Sequence, residues 1–122
     1  MKFSIESKQG HARAGSLTIN NKTIDTPAFM TIGTYGSVKT MDTYDLKKCN
    51  VEIILSNAFH LMLRPGTNLI EKVGGLHQLM NWDGLILTDS GGYQVFSLGK
   101  DVKISKKGAE FRSPFNGDKV FM

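Results

Sequence analysis

The residues best suited to chemistry are those at positions 89–93, an aspartate, a serine, two glycines and a tyrosine, which directly follow an apolar run. Apolar neighbours restrict the solvation of Asp89, which suits its carboxylate to moving a proton. Gly91 and Gly92 allow backbone to approach a ligand closely. Tyr93 offers a flat face on which a planar ligand could stack. We therefore predict a ligand pocket at this segment, with Asp89 as the proton-transfer group.

Simpler interpretations of the same segment are open. Asp89 or Ser90 could be the N-cap of a helix that begins near Gly92. Ser90 has no recognisable base beside it, so a hydrogen-bonding or capping role is favoured over nucleophilic attack. The Gly91-Gly92 pair matches neither a phosphate-binding loop nor a dinucleotide-binding fingerprint.

A second polar cluster follows the apolar residues 51–55 and includes Asn57 and His60. If both apolar runs are parallel strands, Asn57 and His60 lie at the same end of the sheet as Asp89. Asn57 is then a candidate for substrate binding, whereas the apolar neighbours of His60 are more typical of a core histidine. The single cysteine, Cys49, is interpreted as a structural thiol, and the three histidines are too scattered to predict a metal site.

The remaining patterns predict the elements that position these residues. Alternating residues in 2–24 indicate antiparallel strands, and Thr26–Ile32 indicates a short buried strand. Asp42 is suited to cap a helix over 43–49. Further strands are predicted at 51–55 and 85–89, and further helices at 68–73 and 76–80. Because strands and helices alternate, we expect a parallel α/β arrangement, followed at 103–122 by an antiparallel hairpin that turns at Asn116-Gly117.

Composition sets wide limits. The chain has 122 residues, of which 40% are hydrophobic, and 15 basic against 11 acidic residues give a net charge of +4. This charge is compatible with a nucleic-acid partner and equally with a solvated basic surface. No apolar stretch is long enough to cross a membrane, and the one cysteine suggests a reducing compartment, so a cytoplasmic protein is expected. A sheet of three parallel strands would have an open edge, which predicts a piece of something larger.

Several blocks of the sequence, in order, resemble the start of the tRNA-guanine transglycosylase (queuine tRNA-ribosyltransferase) family. They are Arg13–Ser16, Thr26–Met30, Gly33–Lys39, Glu52–Gly66, Gly75–His77, Met80–Asp83 and Ile86–Leu98. The resemblance implies an incomplete (β/α)8 barrel: an N-terminal antiparallel sheet over 1–24, the first three strand and helix units of the barrel over 25–102, and the start of a β-hairpin insertion over 103–122.

The resemblance also implies an activity. Such enzymes are pentosyltransferases that exchange guanine at the wobble position of a tRNA anticodon for a 7-deazaguanine, in queuosine biosynthesis. Asp89 matches the aspartate that passes a proton to and from the base, the segment Asp89, Ser90, Gly91, Gly92 and Tyr93 matches the base pocket, and Asn57 lies in the adjoining matched block. The implied partners are tRNA, guanine or a deazaguanine, and a second copy in a homodimer.

Other parts of the family pattern have no counterpart among these residues. The nucleophilic aspartate, the cysteine and histidine ligands of a zinc ion, and the basic residues that grip tRNA are missing. We therefore expect no cofactor within the chain, zinc in the remaining part of the parent enzyme, and no turnover by the chain alone. A stand-alone module that binds RNA or a purine without chemistry is the alternative, and a degenerate remnant is a third possibility. The residues that choose among deazaguanines are not identified.

Overall fold

The computed structural model describes all 122 residues and contains three sheets of three strands each. The first sheet is antiparallel and is formed by β1 (Lys2–Gln9), β2 (Ala12–Ile19) and β3 (Lys22–Thr26) in sequential order. Short turns at residues 10–11 and 20–21 connect these strands, as the alternating pattern and the Asn20-Asn21 signal predict. The antiparallel strands predicted over 2–24 are therefore confirmed.

The second sheet is parallel and consists of β4 (Thr31–Ile32), β5 (Ile53–Ser56) and β6 (Leu85–Thr88), with β5 in the centre. The predicted buried strand over Thr26–Ile32 is wrong in extent and burial. Only its last two residues pair with β5, and the side chains of Phe29 and Ile32 are 83% and 59% exposed. An apolar run does not by itself reveal whether a neighbour covers it, and β4 lies at an edge of this sheet.

The helices are short. They are α1 (Thr43–Lys48), α2 (Ala58–Leu61), α3 (Thr67–Lys72), α4 (Leu76–Met80) and α5 (Gly92–Leu98), and an irregular wide turn at Met62–Gly66 joins α2 to α3. None of them is long and apolar enough to cross a membrane. The wide turn is broken at Arg64, whose backbone is extended because the following residue is Pro65.

Helix α1 begins as predicted. Asp42 accepts a hydrogen bond from the backbone N–H of Asp45 at 2.8 Å, and the Asp45 side chain accepts one from the N–H of Asp42 at 3.4 Å. This reciprocal capping satisfies donors that the first turn leaves free. The inward face contains Leu46 but not Cys49, which ends the helix and is exposed. Cys49 therefore adds little to the core, and its interpretation as a structural thiol stays a prediction.

The third sheet is antiparallel and contains β7 (Lys100–Ser105), β8 (Gly108–Arg112) and β9 (Lys119–Phe121). The prediction of a hairpin over 103–122 is wrong in strand number and start, since three strands form and the first begins at Lys100. Asn116-Gly117 does lie in the β8–β9 connection, where the backbone of Gly117 has a φ of +76°. A glycine tolerates this left-handed conformation at little cost.

Three small apolar clusters hold the sheets and helices together. Both faces of the parallel sheet are used: Ile54 packs with Leu46, Met80 and Trp82 beneath the helices, whereas Ile53 and Leu85 pack with Ile24 of the first sheet. From three parallel strands alone, the apolar side chains of Ile53, Ile54, Ile86 and Leu87 are expected to lack cover; Leu87 is 39% exposed, but the expectation is wrong for Ile53 and Ile54. The N-terminal sheet and helices α1 and α4 supply that cover, and both side chains are buried.

The third cluster joins the third sheet to the helices. It consists of Phe59 in α2, Val95 in α5 and Phe111 in β8. The rings of Phe59 and Phe111 are stacked with centroids 5.3 Å apart, and Phe111 is 1% exposed. The third sheet is thus packed against the two helices that follow the carboxyl ends of β5 and β6.

Candidate functional site

The candidate site lies where β5 and β6 end side by side. Ser56 pairs with Thr88 in parallel register, and the backbone N–H of Asp89 donates to the carbonyl of Ser56 at 3.2 Å. This register places the next residues, Asn57 and Asp89, next to each other. The carboxyl ends of parallel strands are where α/β sheets bind ligands.

Buried Ser56 fixes the end of β5. Its hydroxyl donates to the carbonyl of Gly33 at 2.8 Å and lies 3.8 Å from the sulfur of Met80. Because this side chain is fully buried, its hydrogen bond also keeps the residue after β4 beside β5. The strand end that carries Asn57 is therefore held from the side opposite Asp89.

The carboxylate of Asp89 is half-buried and accepts hydrogen bonds from two neighbours across the sheet. The side-chain amide of Asn57 donates to Oδ2 at 2.6 Å, and the backbone N–H of Ala58 donates to Oδ1 at 2.9 Å. Charge-assisted bonds of this kind are stronger than neutral ones. The predicted proximity of Asn57 and Asp89 is present in the structure.

Asp89 also caps a helix, but the helix is α2 and not α5, which the sequence suggested. The N-cap of α5 is Gly91, and no side chain bonds the first turn of that helix. The carboxylate instead accepts from Ala58, the first residue of α2, whose own N-cap residue, Asn57, makes no side-chain cap bond. A carboxylate at the start of α2 also complements the helix dipole.

Gln94 is a neighbour that the sequence interpretation left out of the site. Its side-chain amide lies 3.5 Å from Oδ2 of Asp89, and its Oε1 is buried without a hydrogen-bond partner. In the sequence, the only indication that Gln94 lies near Asp89 is its position about one helical turn after Gly91. A buried acceptor without a partner is costly unless a ligand or water satisfies it.

The glycine pair has a clear structural effect. Gly91 is buried and has a φ of +71°, and a Cβ there would lie 3.1 Å from the backbone nitrogen of Phe59 and 2.7 Å from Cε of Met122. Only glycine fits this close approach without strain. The turn therefore brings α5 directly against α2, while Gly92 and Ser90 are exposed beside it.

Tyr93 and His60 have different surroundings. Tyr93, the second residue of α5, is 76% exposed, so one ring face is open to a ligand. His60 is half-buried, with its ring edge-on to those of Tyr35 and Phe59, and its Nδ1 is buried without a hydrogen-bond partner. Packing against two aromatic rings agrees with the core-like interpretation of His60.

No three His, Cys, Asp or Glu side chains lie close enough together to hold a metal ion. The site geometry is therefore that of a carboxylate with an amide and backbone donors, beside a glycine turn and an open aromatic ring. Such a site can accept or donate a proton at Asp89 and can offer Tyr93 to a planar ligand.

Comparison with known proteins shows which protein family the chain resembles. Residues 7–122 match the sequence model described as Queuine tRNA-ribosyltransferase. Proteins named queuine tRNA-ribosyltransferase from Aliivibrio salmonicida and Vibrio campbellii are each 56% identical to the chain over 122 residues, and the one from Herminiimonas arsenicoxydans is 54% identical. All of the chain aligns in each case, and it spans 32% of the length of each relative.

Proposed function

Because the chain belongs to the queuine tRNA-ribosyltransferase family, we propose that it is part of an enzyme that exchanges guanine at the tRNA wobble position for a 7-deazaguanine. Asp89 is the proton acceptor and donor of this exchange. The observation that carries the proposal is the placement of Asp89 at the paired ends of β5 and β6, bonded to Asn57 and Ala58, beside an exposed Tyr93.

The proposed chemistry breaks one glycosidic bond and makes another. When the bond between ribose and guanine breaks, its electron pair leaves with the base, and a ring nitrogen of the base gains a proton. The incoming base loses a proton before it forms its own bond to ribose. A carboxylate within reach of the base can accept and return this proton, which is the role of Asp89. The nucleophile that holds the ribose meanwhile is contributed from outside these 122 residues.

The surroundings of Asp89 support a fixed position for its carboxylate. Both oxygens already accept hydrogen bonds, from Asn57 and from Ala58. The two oxygens of a carboxylate have about four acceptor sites, so Asp89 can take a proton from a base while both bonds are held. Asn57 and the Ala58 amide act as positioning groups, which hold the carboxylate at the strand ends.

The pocket itself follows from the glycine turn and the tyrosine. Gly92 and Ser90 are exposed next to Asp89, so their backbone can lie close to a planar base. The open ring of Tyr93 is suited to stack on that base, an interaction that contributes about 1–3 kcal/mol. Asp89, Ser90, Gly91, Gly92 and Tyr93 form the proposed substrate-binding set, to which Asn57 belongs through its hydrogen bond to Asp89.

The parallel sheet fits the first three strands of a (β/α)8 barrel. Leu55 and Leu87 point to the face opposite the helices, and Leu87 is exposed there. In a closed barrel, side chains from further strands would fill that space in layers. The sheet has an unpaired edge at β4 and another at β6, and in a closed barrel further strands would pair at both.

The parent enzyme is proposed to act in the cytoplasm as a homodimer. Zinc, if the parent holds it, would need ligands from outside these residues, because no three ligating side chains cluster here. No step at Asp89 depends on such an ion.

The proposed function is tested by labelled-base incorporation. A full-length enzyme that contains this chain should incorporate radiolabelled guanine into a tRNA with guanine at the wobble position, and not into the same tRNA with adenine there. Binding of that tRNA without any incorporation of label would contradict the enzyme assignment and favour the binding-module alternative.

A further inference from the structure

Most of the chain's net charge lies in its third sheet. Residues 100–122 contain six basic and three acidic residues, a net charge of +3, whereas the whole chain has a net charge of +4. The rest of the chain is thus close to neutral. This asymmetry is much stronger evidence for a polyanionic partner than the modest total charge.

The strand register places the basic residues on one face. Lys100, Arg112 and Lys119 lie directly across from one another on β7, β8 and β9, and Lys103 lies across from Glu110 in the adjoining row. These side chains are exposed. We call this surface, formed by Lys100, Lys103, Arg112 and Lys119, the basic face.

The opposite face of the sheet is apolar and fixes the sheet in place. Phe111 and Val120 form the row between the charged ones, and they pack with Phe59 and Val95. Because one face is buried, the register of the strands is strongly specified. The basic face is therefore held outward on a rigid support and is not a flexible charged tail.

The lysines of the basic face are free to bind an anion. Arg112 is paired with Asp101 at 3.2 Å, but Lys100, Lys103 and Lys119 form no ion pair in the structure. Together with Asp101 and Glu110, three of the four basic residues line a surface depression of about 300 Å³. Adjacent strands are about 4.8 Å apart, so the row from Lys100 to Lys119 spans roughly 10 Å, enough to meet successive phosphates of one strand.

The sheet also lies beside the candidate site. Phe111 stacks on Phe59, the residue after Ala58, and Met122 contacts the position of Gly91. The apolar face of the third sheet thus borders the strand ends that carry Asp89, and the basic face lies on the other side of the same sheet.

We propose that the basic face binds a stretch of the phosphate backbone of the substrate tRNA, in addition to the tRNA-gripping residues that the family resemblance places outside this chain. This inference rests on the proposed function for the identity of the polyanion. The lysines contribute affinity and orientation, and they read no sequence, because phosphate contacts carry none.

The test uses a full-length enzyme that contains this chain and a variant with Lys100→Ala, Lys103→Ala and Lys119→Ala together. Binding of fluorescent tRNA is measured by anisotropy across a range of salt concentrations. The dissociation constant should rise about tenfold or more near 0.1 M salt, and the slope of log K against log salt should become shallower by roughly one for each phosphate that is no longer neutralised. Replacing the same three lysines by arginine should preserve both values.

A matched control removes three exposed lysines from the first sheet, with Lys2→Ala, Lys8→Ala and Lys22→Ala. An equal effect of both triple variants on tRNA binding would overturn the inference, since only total charge would then matter. An unchanged dissociation constant and slope for the first variant would overturn it as well. Guanine incorporation by the unmodified enzyme is measured in parallel, and its absence would contradict the proposed function while the binding comparison still decides the role of the basic face.

Discussion

At the scale of single residues, the structure gives Asp89 a set of partners that the sequence alone does not specify. The strand end, the glycine pair and the aromatic were recognisable in the sequence because each has a distinctive residue type. The bond from Asn57 depends on the parallel register of β5 and β6. Gln94 was missed because a glutamine in a helix has no signature of burial, and only packing places its amide near Asp89.

Asn57→Ala should lower kcat for guanine incorporation about tenfold and leave the KM for tRNA nearly unchanged. The reason is that a hydrogen bond to a charged group contributes about 1.5–3 kcal/mol, and its loss would leave Asp89 held only by the Ala58 amide. Steady-state kinetics on the full-length enzyme measures both constants. A parallel loss of tRNA affinity would show that Asn57 binds RNA and does not position Asp89.

Tyr93→Ala should weaken binding of the free base by roughly 5- to 150-fold, which corresponds to the removal of one stacking interaction of about 1–3 kcal/mol. Tyr93→Phe keeps the ring and should bind almost normally. The measurement is the apparent binding constant for guanine from inhibition or calorimetry. Equal, large losses in both variants would assign the effect to the hydroxyl group.

At the scale of elements, the alternation of residue types predicts most strands and helices, and contacts between distant elements account for the errors. The capped helix at Asp42 and the strand before Asp89 were predicted because both signals are local. The run Thr26–Ile32 was misjudged because burial depends on neighbours, and β4 has a neighbour on one side only. The third sheet gained a strand because the Asn116-Gly117 motif predicts only the β8–β9 turn, whereas β7 pairs with β8 across a turn at residues 106–107 that no strong hairpin motif marks.

Phe111→Ala should detach the third sheet from α2 and α5. The ring is almost fully buried and stacked on Phe59, and removing a buried aromatic ring costs about 3–5 kcal/mol. Hydrogen exchange of the full-length enzyme should show faster exchange in residues 100–122 and at α5, with little change in the first sheet. Ile104→Ala, at an 83% exposed position of the same sheet, is the control. Uniform acceleration in all three sheets would show that they unfold as one unit.

At the scale of the whole molecule, the three small sheets are joined by a small hydrophobic core. Only 17 of the 122 residues are buried, and ten of the eleven buried hydrophobic residues form clusters of three or four. The parallel sheet has two open edges, one of them at β4. Unpaired strand edges and exposed apolar side chains such as Phe29 and Phe96 favour association with other chains.

The isolated 122 residues should therefore not unfold as a two-state monomer. Denaturation by urea should be broad or depend on protein concentration, and sedimentation should show association, because the apolar face that includes Leu87 lacks its cover. Guanine incorporation by this chain alone should be absent. A cooperative transition with a midpoint independent of concentration, together with a monomer in sedimentation, would identify a real domain and strengthen the binding-module alternative.

The most direct test of the central claim is the rate of guanine incorporation by Asp89→Asn in the full-length enzyme. Asparagine keeps the shape of the side chain and can still accept the hydrogen bond from Ala58, but it cannot take up a proton, so thermal stability should change little. Loss of general acid–base catalysis should lower the exchange rate by on the order of 10²–10⁴-fold, with tRNA binding retained. Near-normal incorporation by Asp89→Asn would contradict the assignment of proton transfer to this residue.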